Sequence, residues 1–209
     1  MTPTPPPRAV FLDWAETLSH SMFWSRWREE CPRDWETVQT RIFADPSLVH
    51  AWMRGRLTAE DVVARIHPES PARRAVWLRE LERSCREMRL ADESLRPLLA
   101  RIRAGGTRVV IATDNMDTFP RWTVPALGLR DAVDDILDSW TLGVLKGDTD
   151  TSGRSAFFAP WLRANGIAPS ETILFDDDPV ARSADIPRVP ISSANPLAAA
   201  LRAAFPDAC

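Results

Sequence analysis

The chain has 209 residues, with 29 acidic against 26 basic side chains and a net charge of −3. Arginine and acids are interleaved throughout, which excludes a basic stripe for nucleic acid and a charged interaction tail. The longest apolar runs are strand-sized, too short for a membrane span, and three scattered cysteines (Cys31, Cys85, Cys209) fit neither a zinc nor a disulfide pattern, so reduced thiols in a cytoplasmic protein are expected.

In chain order, the proline-rich residues 1–8 read as a short disordered arm. Ala9-Val-Phe-Leu-Asp13 is an apolar run ending in a carboxylate, the pattern of a buried parallel strand. From Thr17 to about Met88 the apolar spacing turns helical, predicting helices over Ser21–Glu30, Arg33–Ala44, Ser47–Arg54, Thr58–Ile66 and Pro71–Met88. Thr58 with acids two and three residues on, and Ser70-Pro71, are good helix starts. Strand and helix then alternate. Helices are predicted over Asp92–Ala104, Asp117–Leu127 (interrupted by Pro120 and Pro125), Ser155–Asn165 and Pro196–Phe205. Strands are predicted over Thr107–Thr113, Asp135–Asp138, Thr172–Asp176 and Arg188–Ile191. The expected fold is α/β: a doubly wound, Rossmann-like parallel-sheet core (residues 9–17 and 91–209) with a helical cap (18–90) spliced in after the first strand.

In such a sheet, ligands sit beyond the carboxyl ends of the strands. Asp13, Thr113 and Asp176-Asp177-Asp178 fall there. An Asp or Thr after a strand often only caps the next helix. Three consecutive Asp are harder to explain that way, because packed carboxylates repel unless a cation joins them, and Mg²⁺ prefers such oxygens. Lys146 lies between these segments and is the chain's only lysine; the other basic residues are all arginine. One reading is a codon accident on the surface. The other is a cramped anionic site that takes a compact ammonium but not a planar guanidinium.

The ordered set Asp13-Trp-Ala-Glu-Thr17-Leu, Thr113, Lys146 and the acidic cluster resembles the four motifs of the haloacid dehalogenase-like (HAD) superfamily of hydrolases over roughly residues 8–192. The resemblance implies that Asp13 is a carboxylate nucleophile. It implies that Thr113 hydrogen-bonds a transferring oxygen and that Lys146 neutralises charge between nucleophile and bound group. Asp177, with Asp176 or Asp178, would hold Mg²⁺ together with Asp13 and the backbone carbonyl of Ala15. Trp14, Thr17, Asp114 and Asp178 are expected nearest the substrate. Trp24 and Trp27, with Arg26 and Arg28, begin the helix nearest the first motif, and some of them are candidates to face the cleft.

Four departures from the family's patterns stand out. Ala15 stands where family phosphatases have a second Asp that protonates the leaving oxygen, a role worth about 10²–10⁴-fold; Glu16 is the nearest substitute. Asp13-Trp-Ala resembles the family's phosphonatases, but their Schiff-base lysine in the cap has no counterpart here, since arginine cannot form that imine. The Asp triplet also differs from the neutral polar residues of the haloacid dehalogenases. Gly147 replaces a common proline. The leading expectation is a Mg²⁺-dependent hydrolase of a phosphorylated small molecule, monomer or homodimer, without nucleic-acid or membrane partners. The alternatives are a catalytically silent HAD fold used for binding, or carbon–phosphorus or carbon–halogen chemistry.

Overall fold

The computed structural model describes residues 6–178 and 186–208. Five strands form one parallel sheet: β1 (Ala9–Leu12), β2 (Arg108–Thr113), β3 (Asp135–Asp138), β4 (Thr172–Asp176) and β5 (Arg188–Pro190), in the order β3-β2-β1-β4-β5. β1 lies at the centre, with Val10 opposite both Val109 and Ile173. Successive strands from β1 to β3 build toward one edge, and β4 and β5 toward the other. The winding therefore reverses beside β1, and its carboxyl end opens on the crevice where α/β folds bind ligands.

Alternate residues of β1 enter different cores. Val10 and Leu12 join one apolar cluster, Ala9 and Phe11 another. Phe11 meets the Phe158 ring at 4.9 Å and Trp161 at 5.3 Å, which seats α10 (Ala159–Asn165) on that face. Every residue of β1 is buried, as expected for a strand covered by helices on both sides.

Between β1 and β2 the chain forms α1 (Trp27–Glu30), α2 (Pro32–Val38), α3 (Pro46–Met53), α4 (Ala59–Ile66), α5 (Pro71–Arg86) and α6 (Leu95–Ala104). Their starts follow the sequence chemistry. Asp45 accepts from the Ser47 and Leu48 amides, Thr58 and Asp61 form a reciprocal capping box, and Ser70 caps α5 with Pro71 in its first turn. The helix expected over Ser21–Glu30 is reduced to α1, because Trp24 adopts a left-handed φ of 49°. That conformation costs a non-glycine residue about 1 kcal/mol or more. It is held by the Trp24 amide donating to Ser84 Oγ (3.0 Å) and the indole donating to the Trp77 carbonyl (3.0 Å). Trp24, Trp27 and Trp77 form one buried aromatic cluster, so Trp24 and Trp27 pack the helical block and do not face a cleft.

After β2, the expected helix over 117–127 is divided into a π-helical turn, Phe119–Thr123, and α7 (Val124–Ala126). Pro120 and Pro125 supply no amide donors there. Two short helices that periodicity did not reveal, α8 (Leu129–Ala132) and α9 (Ser139–Leu142), flank β3. The last α-helix is α11 (Leu197–Ala204). At the other end, Arg8, assigned to the disordered arm, is tied down: its guanidinium reaches the Gly166 carbonyl (2.8 Å) and Glu171 (3.2 Å). Residues 1–5 of that arm, and Cys209, lie outside the described residues. Cys31 and Cys85 are free thiols.

Asp117 joins the helical block to the sheet. Its carboxylate is fully buried and accepts from the Trp52 indole (2.6 Å) and the Ala59 amide (3.1 Å). Arg121 pairs with Asp117 and reaches back to Glu60 (2.8 Å). The sequence marked Asp117 only as a helix start.

Candidate active site

The strand register brings the sequence candidates to one edge. Asp13 follows β1 directly, and its amide donates to the Phe175 carbonyl of β4 (3.0 Å), so Asp13 and Asp176 leave neighbouring strands side by side. Lys146 comes from the loop after α9. Its ammonium donates to Asp176 Oδ2 at 2.6 Å and lies 2.9 Å from Asp13 Oδ1. All three are nearly closed off: Asp13 is 5% exposed, Lys146 6% and Asp176 0%. Lys146 is therefore no surface residue.

One ammonium does not balance this site. Asp13, Asp176 and Asp177 each offer a carboxylate oxygen within 4.8 Å of the others. Burial pushes the Asp13 carboxyl up to about 7; Lys146 opposes the rise and Asp176 adds to it. Burial followed by the charge of Asp176 raises Asp177 as well. Burial alone would pull the Lys146 ammonium down, but Asp13, Asp176 and Asp114 together outweigh it and hold the group above its ordinary value. Lysine stays charged and the carboxylates remain in excess, the condition under which a hard divalent cation is favoured. Asp176 is already engaged, with Oδ2 on Lys146 and Oδ1 on the Asp178 amide (2.9 Å). Asp13 is engaged as well, by Lys146 at 2.9 Å and by the Trp14 amide, and Asp177 is the half-buried member of the three.

The other expected residues divide. Thr113 is fully buried at the end of β2, and its hydroxyl finds no hydrogen-bond partner among the described residues. Thr17 has a similarly unpartnered buried hydroxyl and lines a cavity of about 470 Å³ with Glu16, His20, Asp177 and Ser192. Asp114 is half-buried and raised by that burial, and its Oδ1 accepts from the Lys146 amide (2.9 Å). It thus fixes the lysine's backbone. Asp178 is exposed and its amide supports Asp176. Trp14 runs against expectation: it is 2% exposed, with its ring 5.2 Å from Phe119 in the core. Side chains alternate on leaving β1, so the neighbour of an outward Asp13 is directed into packing.

The turn after Asp13 is tight, with the Leu18 and Ser19 amides both donating to the Trp14 carbonyl (3.0 and 2.9 Å). It places Glu16 at a left-handed φ of 52°, exposed and 3.2 Å from His20 Nδ1. Two residues near the lysine escaped the sequence reading. Asp148 accepts from the Leu145 amide (2.9 Å), and Arg54, from the end of α3, pairs with Asp148 at 2.5 Å. An acid two residues beyond the lone lysine was the available signal for the first; nothing in the sequence marked Arg54.

A family model described as haloacid dehalogenase-like hydrolase matches residues 10–179. The chain belongs to this family. Solved structures agree in fold with the HAD chain described here. A HAD family enzyme of Bacteroides thetaiotaomicron, crystallised with magnesium and inorganic phosphate, shares 14% identity at a TM-score of 0.65, over 90% of this chain and 95% of that one. An L-2-haloacid dehalogenase of Xanthobacter autotrophicus with covalently bound chloropropionic acid shares 14% at 0.61, over 94% and 81%. A dehalogenase in an intermediate complex shares 16% at 0.66, over 97% of each chain. No curated protein matches the sequence. Among the described residues no helix is long and apolar enough to cross a membrane.

Proposed function

We propose that this HAD hydrolase is Mg²⁺-dependent and transfers the phosphoryl group of a small molecule to Asp13 and then to water. The observation carrying this reading is the excess of carboxylate: three acids within 4.8 Å of one another, two buried and one half-buried, met by one ammonium. Asp13, Asp177 and the Ala15 carbonyl would hold the cation, with Asp176 behind them. The helical block over residues 18–90 would serve as the cap that selects the substrate.

When bound, Mg²⁺ would offset phosphate charge beside the nucleophile. The remaining steps belong to the chain. The Asp13 carboxylate attacks phosphorus, forming an acyl phosphate while the bond to the leaving oxygen breaks. The Thr113 hydroxyl, unpartnered among the described residues, is available to donate to a phosphoryl oxygen, and Lys146 balances the charge that accumulates. Water then attacks the phosphorus of the acyl phosphate, breaking its bond to the Asp13 oxygen, so inorganic phosphate leaves and the carboxylate is regenerated. Ala15 cannot protonate the leaving oxygen, so the favoured substrates carry a good leaving group or their own acid, as an acyl phosphate does.

A second reading rests on the same Ala15. Displacing halide from a 2-haloacid needs a carboxylate nucleophile but no proton donor to the leaving group. A panel of acyl phosphates, phosphate monoesters, phosphonates and 2-haloacids, assayed with and without Mg²⁺, separates the two. Mg²⁺-dependent phosphate release, fastest from the acyl phosphates, is the expected result; metal-independent halide release alone would establish the second reading.

Proton and cation compete for Asp13. The carboxyl titrates near 3.8 when unfolded and at about 7 when folded. A group raised on folding contributes stability below its unfolded value and loses it as pH rises through the folded one. The metal-free protein is therefore expected to lose stability from this group between about pH 4 and 7. Added Mg²⁺ should restore more at pH 8 than at pH 5, because binding requires the deprotonated ligand. Thermal unfolding in chelator and in Mg²⁺ at both pH values checks this; an equal gain at both contradicts it.

A further inference from the structure

The loop carrying Lys146 is fastened on both sides of the lysine. Asp114 Oδ1 accepts from the Lys146 amide (2.9 Å), and Asp148 Oδ2 accepts from the preceding Leu145 amide (2.9 Å). The second oxygen of Asp148 takes the guanidinium of Arg54 at 2.5 Å. Asp148 thus holds the loop with one oxygen and the helical block with the other. Its pair with Arg54 is sheltered, the two side chains being 22% and 30% exposed.

The surrounding contacts make this junction close. The turn that carries Arg54 rests on α9, the helix leading into the Lys146 loop. The Trp140 indole donates to the Leu57 carbonyl (3.0 Å). Gly55 sits at a φ of 70°, and a Cβ there would fall 2.5 Å from the Trp140 carbonyl oxygen, so only glycine allows this approach. Arg54 is the point where the helical block touches the loop that delivers the ammonium.

We propose that Arg54 and Asp148 are positioning residues for Lys146: seating the helical block engages Asp148, which orders the 145–148 loop and places the ammonium between Asp13 and Asp176. The lysine is then fully in place only with the block seated over the site. This rests on the role assigned to Lys146 above. An ion pair of this exposure contributes little to global stability, whereas a small displacement of a catalytic charge costs up to about 10²-fold in rate.

The test uses the full-length protein and two readouts. The first is residue-resolved amide exchange at Leu145 and Lys146, which needs no turnover. Arg54→Ala is expected to speed exchange at both amides by about tenfold or more while the melting temperature and core amides stay unchanged. Asp148→Asn keeps an oxygen for the Leu145 amide but weakens the link to Arg54, and should behave similarly. Arg54→Lys should restore part of the protection. The second readout is kcat against KM: Arg54→Ala and Asp148→Asn should each lower kcat by about 10- to 100-fold with less change in KM. Arg54→Ala combined with Asp148→Asn should be no slower than either alone, because both cut one link. Unchanged exchange at the two amides in Arg54→Ala, or multiplying losses in the double variant, overturns the proposal. Should the wild-type protein turn over none of the panel, the proposed reaction fails while the exchange measurement still decides the latch.

Discussion

Lys146→Ala is expected to lower turnover by about 10²–10³-fold or more, the loss that follows removal of one preorganised charge-stabilising group from a closed site. The reason lies in what the ammonium separates. It stands 2.9 Å from Asp13 and 2.6 Å from Asp176, and both carboxylates are almost fully buried. Two such groups without a cation cannot both ionise, so one takes a proton near neutral pH. Asp13 is already raised by burial and is the one exposed to that fate. A protonated Asp13 is no nucleophile. Lys146→Arg is expected to fail nearly as badly, since the planar guanidinium is too wide for a position that is only 6% exposed. Steady-state rates of both variants, with circular dichroism to confirm folding, measure this; a normal rate in Lys146→Ala would remove the lysine from the mechanism.

Restoring the acid that the first motif lacks should act in the opposite direction. Ala15→Asp is expected to raise kcat/KM on a phosphate monoester with a poor leaving group by about 10²–10⁴-fold, the range for a positioned general acid. On an acyl phosphate, whose leaving group departs without a proton, the gain should be small. The contrast between the two substrates carries the information. Equal gains, or none on the poor leaving group, would show that leaving-group protonation does not limit this enzyme and that Glu16 or the substrate already supplies it.

The sheet and the positions of the candidate residues were legible in the sequence because strands of a buried parallel sheet are short, apolar and ended by chemistry-bearing residues. Asp13, Thr113 and Asp176 stand one residue past or at the end of β1, β2 and β4, as their apolar runs foretold. The helix starts at Thr58 and Ser70 were legible for a similar reason: capping is local. What escaped was set by tertiary contact. Trp24 leaves helical geometry because Ser84 and Trp77, more than fifty residues away, hold it. Trp14 faces the core, since the side of the strand end it takes depends on packing against Phe119. Arg54 looked like one arginine among many; its meaning comes from Asp148, ninety-four residues on.

The scarcity of lysine was the clearest local sign. A chain that otherwise uses arginine keeps its one ammonium in a buried position between two carboxylates. In the proposed reaction Asp13, beside that ammonium, becomes phosphorylated. The most direct measurement is acid-quenched single turnover of an acyl phosphate with Mg²⁺, followed by mass analysis of the peptide carrying Asp13. A hydroxylamine-sensitive phosphoryl adduct on Asp13 is expected to form before phosphate is released and to be absent from Asp13→Asn. Phosphate release at full rate with no adduct at any time, or an adduct on another residue, would contradict the proposed reaction.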